Sequence, residues 1–260
     1  MIASPFDPPV SNAARFAARP LPGAGTPAHV WLSARRKLPV LDLSACPEIV
    51  VVGAHPDDET LGFGATSAML ADTGVRVQVV SASDGGASHP GLSPLERGRL
   101  EHVRRAELQR AVNTLGLLEP ISLGLPDGQI EEHEDRLADV LAEILAARPA
   151  GTWCAATWCG DGHPDHEAVG RAAAVAVERV GAELLEYPVW MWHWAYPDDA
   201  AVPWQRAYEV PLSHESLIRK RAAVQSFYSQ FGPGTFGVAA PVMPPAVLHR
   251  LLAVGEVVFR

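Results

Sequence analysis

The sequence predicts an α/β fold: one Rossmann-like domain with a mostly parallel sheet and helices on both faces. Two observations predict it. Short apolar runs recur along the chain at Ile49–Val52, Val75–Ser81, Pro120–Leu125 and Trp153–Thr157, the first of them continuous, as in a strand buried on both faces. Helical periodicity fills the gaps between them. Leu108, Ala111, Val112 and Leu115 fall on one helix face, as do Leu137, Val140, Leu141, Ile144 and Leu145. Strands alternating with helices of this length imply parallel βαβ units with right-handed crossovers.

The remaining elements follow by the same signals. Glu183–Val189 and Arg206–Pro211 read as further strands. Ser213 suits the cap of a helix running towards Phe231. Residues 1–45 are rich in Pro, Ala and Gly, with Pro8-Pro9 and Pro20-Leu-Pro-Gly23, and read as an irregular arm with a short helix near Trp31–Arg36. The domain itself is expected to occupy residues 46–260. No internal repeat is seen.

Bulk properties narrow the function classes. The chain has 260 residues, 48% hydrophobic and 20% charged, enough to bury a core without disulfides. A net charge of −9 argues against a general nucleic-acid or anionic-membrane surface, which needs clustered basic charge. Three cysteines, Cys46, Cys154 and Cys159, are an odd number without a C-x-x-C pair, so buried or idle thiols are expected. The first thirty residues lack the order of charge and apolar run that marks a signal peptide, and no apolar run reaches membrane-span length. A cytoplasmic location is therefore expected by default.

The polar clusters carry the functional reading. In open parallel sheets, ligands bind beyond the carboxyl ends of the strands. The run at 49–52 leads into Gly53-Ala-His-Pro-Asp-Asp-Glu59, and the run at 75–81 into Ser83-Asp-Gly-Gly86. The third leads into Gly124-Leu-Pro-Asp-Gly128 and the fourth into Gly160-Asp-Gly-His-Pro-Asp-His166. Four loops rich in Asp and His thus converge on one edge. His55 and Asp58 are three apart in a turn that opens a helix. His163 and His166 are also three apart, before a helix beginning near Glu167. Two imidazoles and a carboxylate make a three-ligand metal site with a position left for water. Zinc there lowers the pKa of water towards ~7 and polarises a carbonyl. Asp57 is then free to act as general base, and the spare histidine to face a developing oxyanion. Asp165 is positioned in sequence to orient that histidine. The spacing does not choose between His163 and His166 as ligand. His29, His89, His102, His133, His193, His214 and His249 are scattered and read as structural.

Ala54-His-Pro-Asp-Asp-Glu59 together with His163-Pro-Asp-His166 resembles the PIG-L/LmbE family of metal-dependent N-deacetylases, which act on mycothiol, bacillithiol and glycosylphosphatidylinositol precursors and on glycopeptide antibiotics. The similarity spans roughly residues 48–231, with Arg104-x-x-Glu107, Leu123-Gly-Leu-Pro-Asp127 and Lys220-x-x-Ala223…Ser229-Gln230 as weaker matches. The resemblance implies zinc on His55, Asp58 and His166, with Fe2+ or another divalent ion as substitutes. It implies Asp57 as base, and His163, tuned by Asp165, as the group that stabilises the oxyanion and protonates the leaving amine. Arg104 and Asp127 match positions that contact the sugar; read without the resemblance, they are a solvated helix-face charge and a turn residue. The expected partner is a small N-acetylglucosamine-type conjugate, with a homo-oligomer left open.

Four other readings compete. An amidase of the same fold would act on a non-sugar amide or sugar–thiol conjugate. Two histidines and a carboxylate also form the facial triad of Fe(II) oxygenases, but those need antiparallel sandwiches. Gly62-x-Gly64 hints at a nucleotide module, but it lies inside the helix and lacks G-x-G-x-x-G. A metal-binding relative without catalysis ranks low, since every candidate catalytic position is filled. The stretch Tyr187-Pro-Val-Trp-Met-Trp-His-Trp194 reads either as core packing or as a wall for the aglycone.

Overall fold

A computed structural model describes residues 10–23, 25–34, 37–233, 235–237 and 240–260. Seven strands form one sheet in the order β3-β2-β1-β4-β5-β7-β6. They are β1 (Glu48–Gly53), β2 (Arg76–Ser83), β3 (Ile121–Leu125), β4 (Trp153–Thr157), β5 (Glu183–Tyr187), β6 (Ala207–Glu209) and β7 (Val257–Phe259). The first five are mutually parallel. β7 and β6 extend the sheet antiparallel to β5 and to each other. The expected α/β class and mostly parallel sheet are thus what the chain forms.

All six residues of β1 are buried, because β1 is flanked by β2 and β4 and covered on both faces. Its alternation divides the core. Ile49 and Val51 pack with Leu61, Phe63, Leu108 and Val112 on one face. Val50 and Val52 pack with Leu137, Leu141, Val169 and Ala173 on the other. The first layer holds α3 (Asp58–Asp72), α4 (Pro94–Leu115) and α8 (His214–Val224), and the second α5 (Glu134–Ala146) and α6 (Pro164–Val180). Helix α4 starts at a capping box between Ser93 and Glu96 with Pro94 at its first position, and ends at left-handed Gly116.

Several expectations shift at element ends. The fifth strand stops at Tyr187, before Pro188, and the segment at 206–211 pairs only over Ala207–Glu209. The helix capped by Ser213 ends at Val224, and a separate turn, α9 (Tyr228–Phe231), follows. That break lets Ser229 donate from its amide and hydroxyl to Glu107, at 2.8 and 2.6 Å. α10 (Pro245–Ala253) and β7 went unread in the sequence, because the short Val257–Phe259 run offers no period. No helix is long and apolar enough to cross a membrane, among the described residues.

The arm is more regular than expected. It holds α1 (Asn12–Ala17) and α2 (Ala28–Ser33); Arg35 and Arg36, within the anticipated helix, and Pro8-Pro9 lie outside the described residues. The Gly62-x-Gly64 pair has a packing role. A Cβ on Gly62 would lie 2.2 Å from the Tyr187 ring, so only glycine admits that ring against α3.

One buried ion pair locks α3 to the C-terminal region. Lys220 Nζ donates to Glu256 at 2.8 Å and to the Leu61 carbonyl at 2.6 Å, while Glu256 accepts from the Ala65 and Thr66 amides at 2.8 Å each. Lys220→Met leaves that carboxylate buried without its countercharge. Urea unfolding should then show a loss of about 3–5 kcal/mol.

Candidate metal centre and active site

The strand order places the site. β1 and β4 are hydrogen-bonded neighbours, yet the chain leaves them in opposite directions, to β2 and to β5. A crevice opens beyond their carboxyl ends at this switch point. The loops after β1 and β4, carrying His55–Asp58 and His163–His166, meet there.

Asp58 Oδ2 is the focus. It lies 3.3 Å from His55 Nδ1 and 3.2 Å from His166 Nε2, and accepts the His55 amide at 2.8 Å. One ligand atom from each of His55, Asp58 and His166 falls within 4.8 Å of the other two. His166 Nε2 is fully buried and makes no hydrogen bond, an orphaned lone pair aimed at the same point. Asp58 and His166 are buried, and burial opposes charge on Asp58, but His166 and His55 beside it hold its carboxyl well below the usual range. This donor set of two imidazole nitrogens and one carboxylate oxygen fits a divalent transition metal.

The remaining ring nitrogens are held by carboxylates. Asp161 Oδ2 lies 2.8 Å from His166 Nδ1, and the same carboxylate accepts the amides of Val189, Trp190 and Met191 at 3.0, 2.8 and 2.8 Å. With three amides already donating, Asp161 acts as acceptor from Nδ1–H, which leaves the lone pair on Nε2. His55 Nε2 faces Asp127 Oδ1 at 3.0 Å and Asp165 Oδ2 at 3.1 Å. His55, His163 and Asp165 also come within ligating distance of one another, but the Asp165 carboxylate is committed to the Gly128 and Ile130 amides at 2.8 and 3.1 Å.

Asp57 sits beside the focus on strained backbone. Its φ is 133°, a region that side chains rarely adopt. Its carboxylate is 3.2 Å from Arg104 Nη2, and its amide donates to Glu59 at 3.1 Å. Burial pushes its pKa up to about 8, against the pull of Arg104 and with the push of Asp58 and Glu59.

Three sequence expectations differ in detail. Asp165 does not turn its carboxylate to His163. Helix α6 begins at Pro164, three residues before the expected start, with His163 as its cap, so the Asp165 amide donates to His163 Nδ1 at 3.2 Å while the carboxylate faces His55. Arg104 is not a solvated helix-face charge. It is buried, donating to the Pro56 and Gly85 carbonyls at 2.7 and 3.0 Å. Asp127 is more than a turn residue, since beyond His55 it accepts the Ala87 amide at 2.7 Å. Asp161 was missed. Its one signal was a position between two glycines in the histidine loop, which specifies no partner.

A cavity of about 390 Å³ opens over these groups, lined by His55, Asp57, Asp58, Arg104, Asp127 and His163 and by apolar residues from distant segments. A second, polar cavity of about 310 Å³ adjoins it and shares Asp127.

A difference between two variants isolates the backbone strain at Asp57. Both Asp57→Ala and Asp57→Gly remove the carboxylate, but only glycine relaxes at φ 133°. Thermal and urea unfolding should find the glycine variant more stable by about 1–2 kcal/mol; equal stabilities would mean that the turn is unstrained.

The segment that carries this site is similar to known proteins. Residues 50–177 match the family described as PIG-L: GlcNAc-PI de-N-acetylase. The probable N-acetyl-alpha-D-glucosaminyl L-malate deacetylase 2 of Bacillus cereus is 34% identical over 145 residues, 54% of this chain and 64% of that protein. The 1D-myo-inositol 2-acetamido-2-deoxy-alpha-D-glucopyranoside deacetylase of Mycobacterium sp. (strain KMS) is 34% identical over 164 residues, 54% of this chain and 53% of that protein. The chain thus spans between about half and just under two thirds of these curated relatives. Among solved structures, the conserved protein TT1542 from Thermus thermophilus has 28% identity and a TM-score of 0.53, covering 78% of this chain and 84% of that one. Two further structures share the fold alone. The zinc-inhibited form of teicoplanin deacetylase Orf2 has 18% identity, a TM-score of 0.57 and covers 73% and 88% of the two chains. The 4-carboxy-2-hydroxymuconate hydratase GalB from Pseudomonas putida KT2440 also has 18% identity, with a TM-score of 0.54 and coverage of 80% and 83%. The fold therefore carries more than one reaction. The family match runs through both histidine motifs, from within β1 into α6, so over residues 50–177 the chain is similar to the PIG-L family.

Proposed function

We propose that the protein is a metal-dependent hydrolase that removes an N-acetyl group from an N-acetylglucosamine-type conjugate. The observation that carries this reading is the focus of His55 Nδ1, Asp58 Oδ2 and His166 Nε2, with the Asp57 carboxylate beside it at the floor of a cavity. In this reading His55, Asp58 and His166 hold a zinc ion or another divalent cation. The ion supplies Lewis acidity, polarising the acyl carbonyl and acidifying water.

The chain's own groups do the rest. Asp57 takes the proton of the attacking water. Burial favours the protonated carboxyl, so Asp57 can hold the proton it has taken until the amine departs. Arg104, anchored on Pro56 and Gly85, fixes the Asp57 carboxylate in place. Because His163 Nδ1 accepts the Asp165 amide, the proton of the neutral ring sits on Nε2. Burial pushes the pKa of His163 down to about 3, with His166 and His55 adding to the effect. His163 therefore suits a neutral donor to the oxyanion of the tetrahedral intermediate. The proton that Asp57 carries, rather than one from His163 as the resemblance implies, then goes to the departing nitrogen as the C–N bond breaks, leaving acetate and a free amine. Asp127 and Asp165 position His55, and Asp161 positions His166. Asp127 also stands at the cavity wall, where it can reach a sugar hydroxyl.

Metal analysis with a screen of N-acetylated sugars for amine release tests the reading. Chelation should abolish turnover and divalent metal should restore it. Asp57→Asn should lower kcat by about 10²- to 10⁴-fold while metal content stays unchanged. Normal turnover in that variant, or no amine release from any N-acetyl sugar, would overturn the assignment. Asp161→Asn, which leaves the ligand atoms intact, should weaken metal binding by about 10- to 100-fold in chelator competition.

A further inference from the structure

The cavity is asymmetric. Its floor is polar, but its outer wall is Phe16, Leu21, Trp190, Val242 and Met243. Phe16 and Leu21 belong to the N-terminal arm, which lies outside residues 50–177, the segment matched by the family. The Phe16 ring lies 5.0 Å from that of Trp190 and 6.1 Å from that of His163, so the apolar wall begins directly against a candidate catalytic side chain.

The arm is built into this position. Asn12 Nδ2 donates to the Gly160 carbonyl at 2.8 Å, and Arg15 Nη1 reaches both Asp199 oxygens at 2.9 and 2.8 Å. The Thr26 amide donates to the His193 carbonyl at 3.0 Å, and Trp31 Nε1 to the Trp192 carbonyl at 3.0 Å. Gly162, at φ 94°, makes the approach possible: a Cβ there would sit 3.0 Å from Phe16 Cβ and 3.1 Å from the Asn12 carbonyl oxygen. Trp190 is fixed from the other side, its amide held by Asp161.

Charge sharpens the conclusion. Among the described residues that line the cavity, Arg104 is the one side chain of fixed positive charge, and Pro56, Gly85 and Asp57 take its guanidinium. Asp57, Asp58 and Asp127 line the same space. Within this cavity an anionic aglycone would enter beside carboxylates, with no further side-chain cation among the described residues to receive it. An uncharged apolar or aromatic one would bury its surface on Phe16, Leu21, Trp190 and Met243.

We infer that the substrate's aglycone is an uncharged apolar or aryl group, and that the arm, through Phe16 and Leu21, is the specificity element that receives it. The inference rests on the hydrolase reading for the word aglycone, but its test has a separate arm. Binding of phenyl and malyl glycosides of glucosamine to the intact metal-loaded protein is measured by calorimetry. Turnover of their N-acetyl forms is measured by amine release. The phenyl glycoside should bind about tenfold or more tightly than the malyl one, the gain expected from one aryl group placed between aromatic side chains. Phe16→Ala and Trp190→Ala should each erase most of that preference, and in turnover the loss should fall on KM rather than kcat. Equal or tighter binding of the malyl glycoside, or a preference unchanged in both variants, overturns the inference. A binding preference without any turnover overturns the hydrolase reading alone. Turnover without the preference overturns this inference and leaves the hydrolase reading standing.

Discussion

The structure depends on the parallel pairing of β1 with β4. Each strand alone would deliver a loop of polar residues to solvent. Paired as neighbours, with their onward connections running to opposite sides, they leave a gap that neither crossover fills. His55 and Asp58 come to this gap from one loop, and His163 and His166 from the other, more than a hundred residues away. The buried apolar run of β1 secures the pairing, because Ile49 and Val51 anchor one layer and Val50 and Val52 the other.

That gap concentrates acid. Asp57, Asp58, Glu59, Asp161 and Asp165 are all buried around it. Buried carboxylates persist only when paired or hydrogen-bonded, and their partners here are themselves informative. Asp161 and Asp165 each take two or more backbone amides and one imidazole nitrogen. Asp58 has one amide and two histidine nitrogens. Such a cluster, with the orphaned His166 Nε2 at its focus, is the physical argument for a metal centre independent of any relative. The strained backbone at Asp57 belongs to the same picture, holding one carboxylate next to the focus but off the ligand set.

Asp161 links this chemistry to the wall of the cavity. One carboxylate orients His166 and gathers the amides of Val189, Trp190 and Met191, while its carbonyl accepts from Trp194 Nε1 at 2.7 Å. The aromatic stretch therefore divides: Met191, Trp192 and Trp194 are buried core, and Trp190 faces the cavity. The core-packing reading holds for those three residues, and the arm packs on the same segment from outside.

The sequence by itself determined the sheet's parallel part, the helices between its strands and the four loops that converge on one edge. These are local properties, since period, chain direction and the residues after each strand need no distant partner. The two histidine motifs were legible for the same reason, because three-residue spacings act within one turn. What lies at the ends of long-range contacts was decided by the tertiary structure alone. The side-chain partner of Asp165 depends on where α6 begins relative to the loop after β3. The burial of Arg104 depends on α4 lying against the β1 loop. The antiparallel strand β7 forms because Val257–Phe259 finds an open edge beside β5, and no pattern in three residues announces that. The arm's place at the cavity depends on Gly162 leaving room for Phe16, a match between residues nearly 150 positions apart. Periodicity records what a segment does to itself; which surfaces meet is set by packing, and packing is where this site acquires its walls.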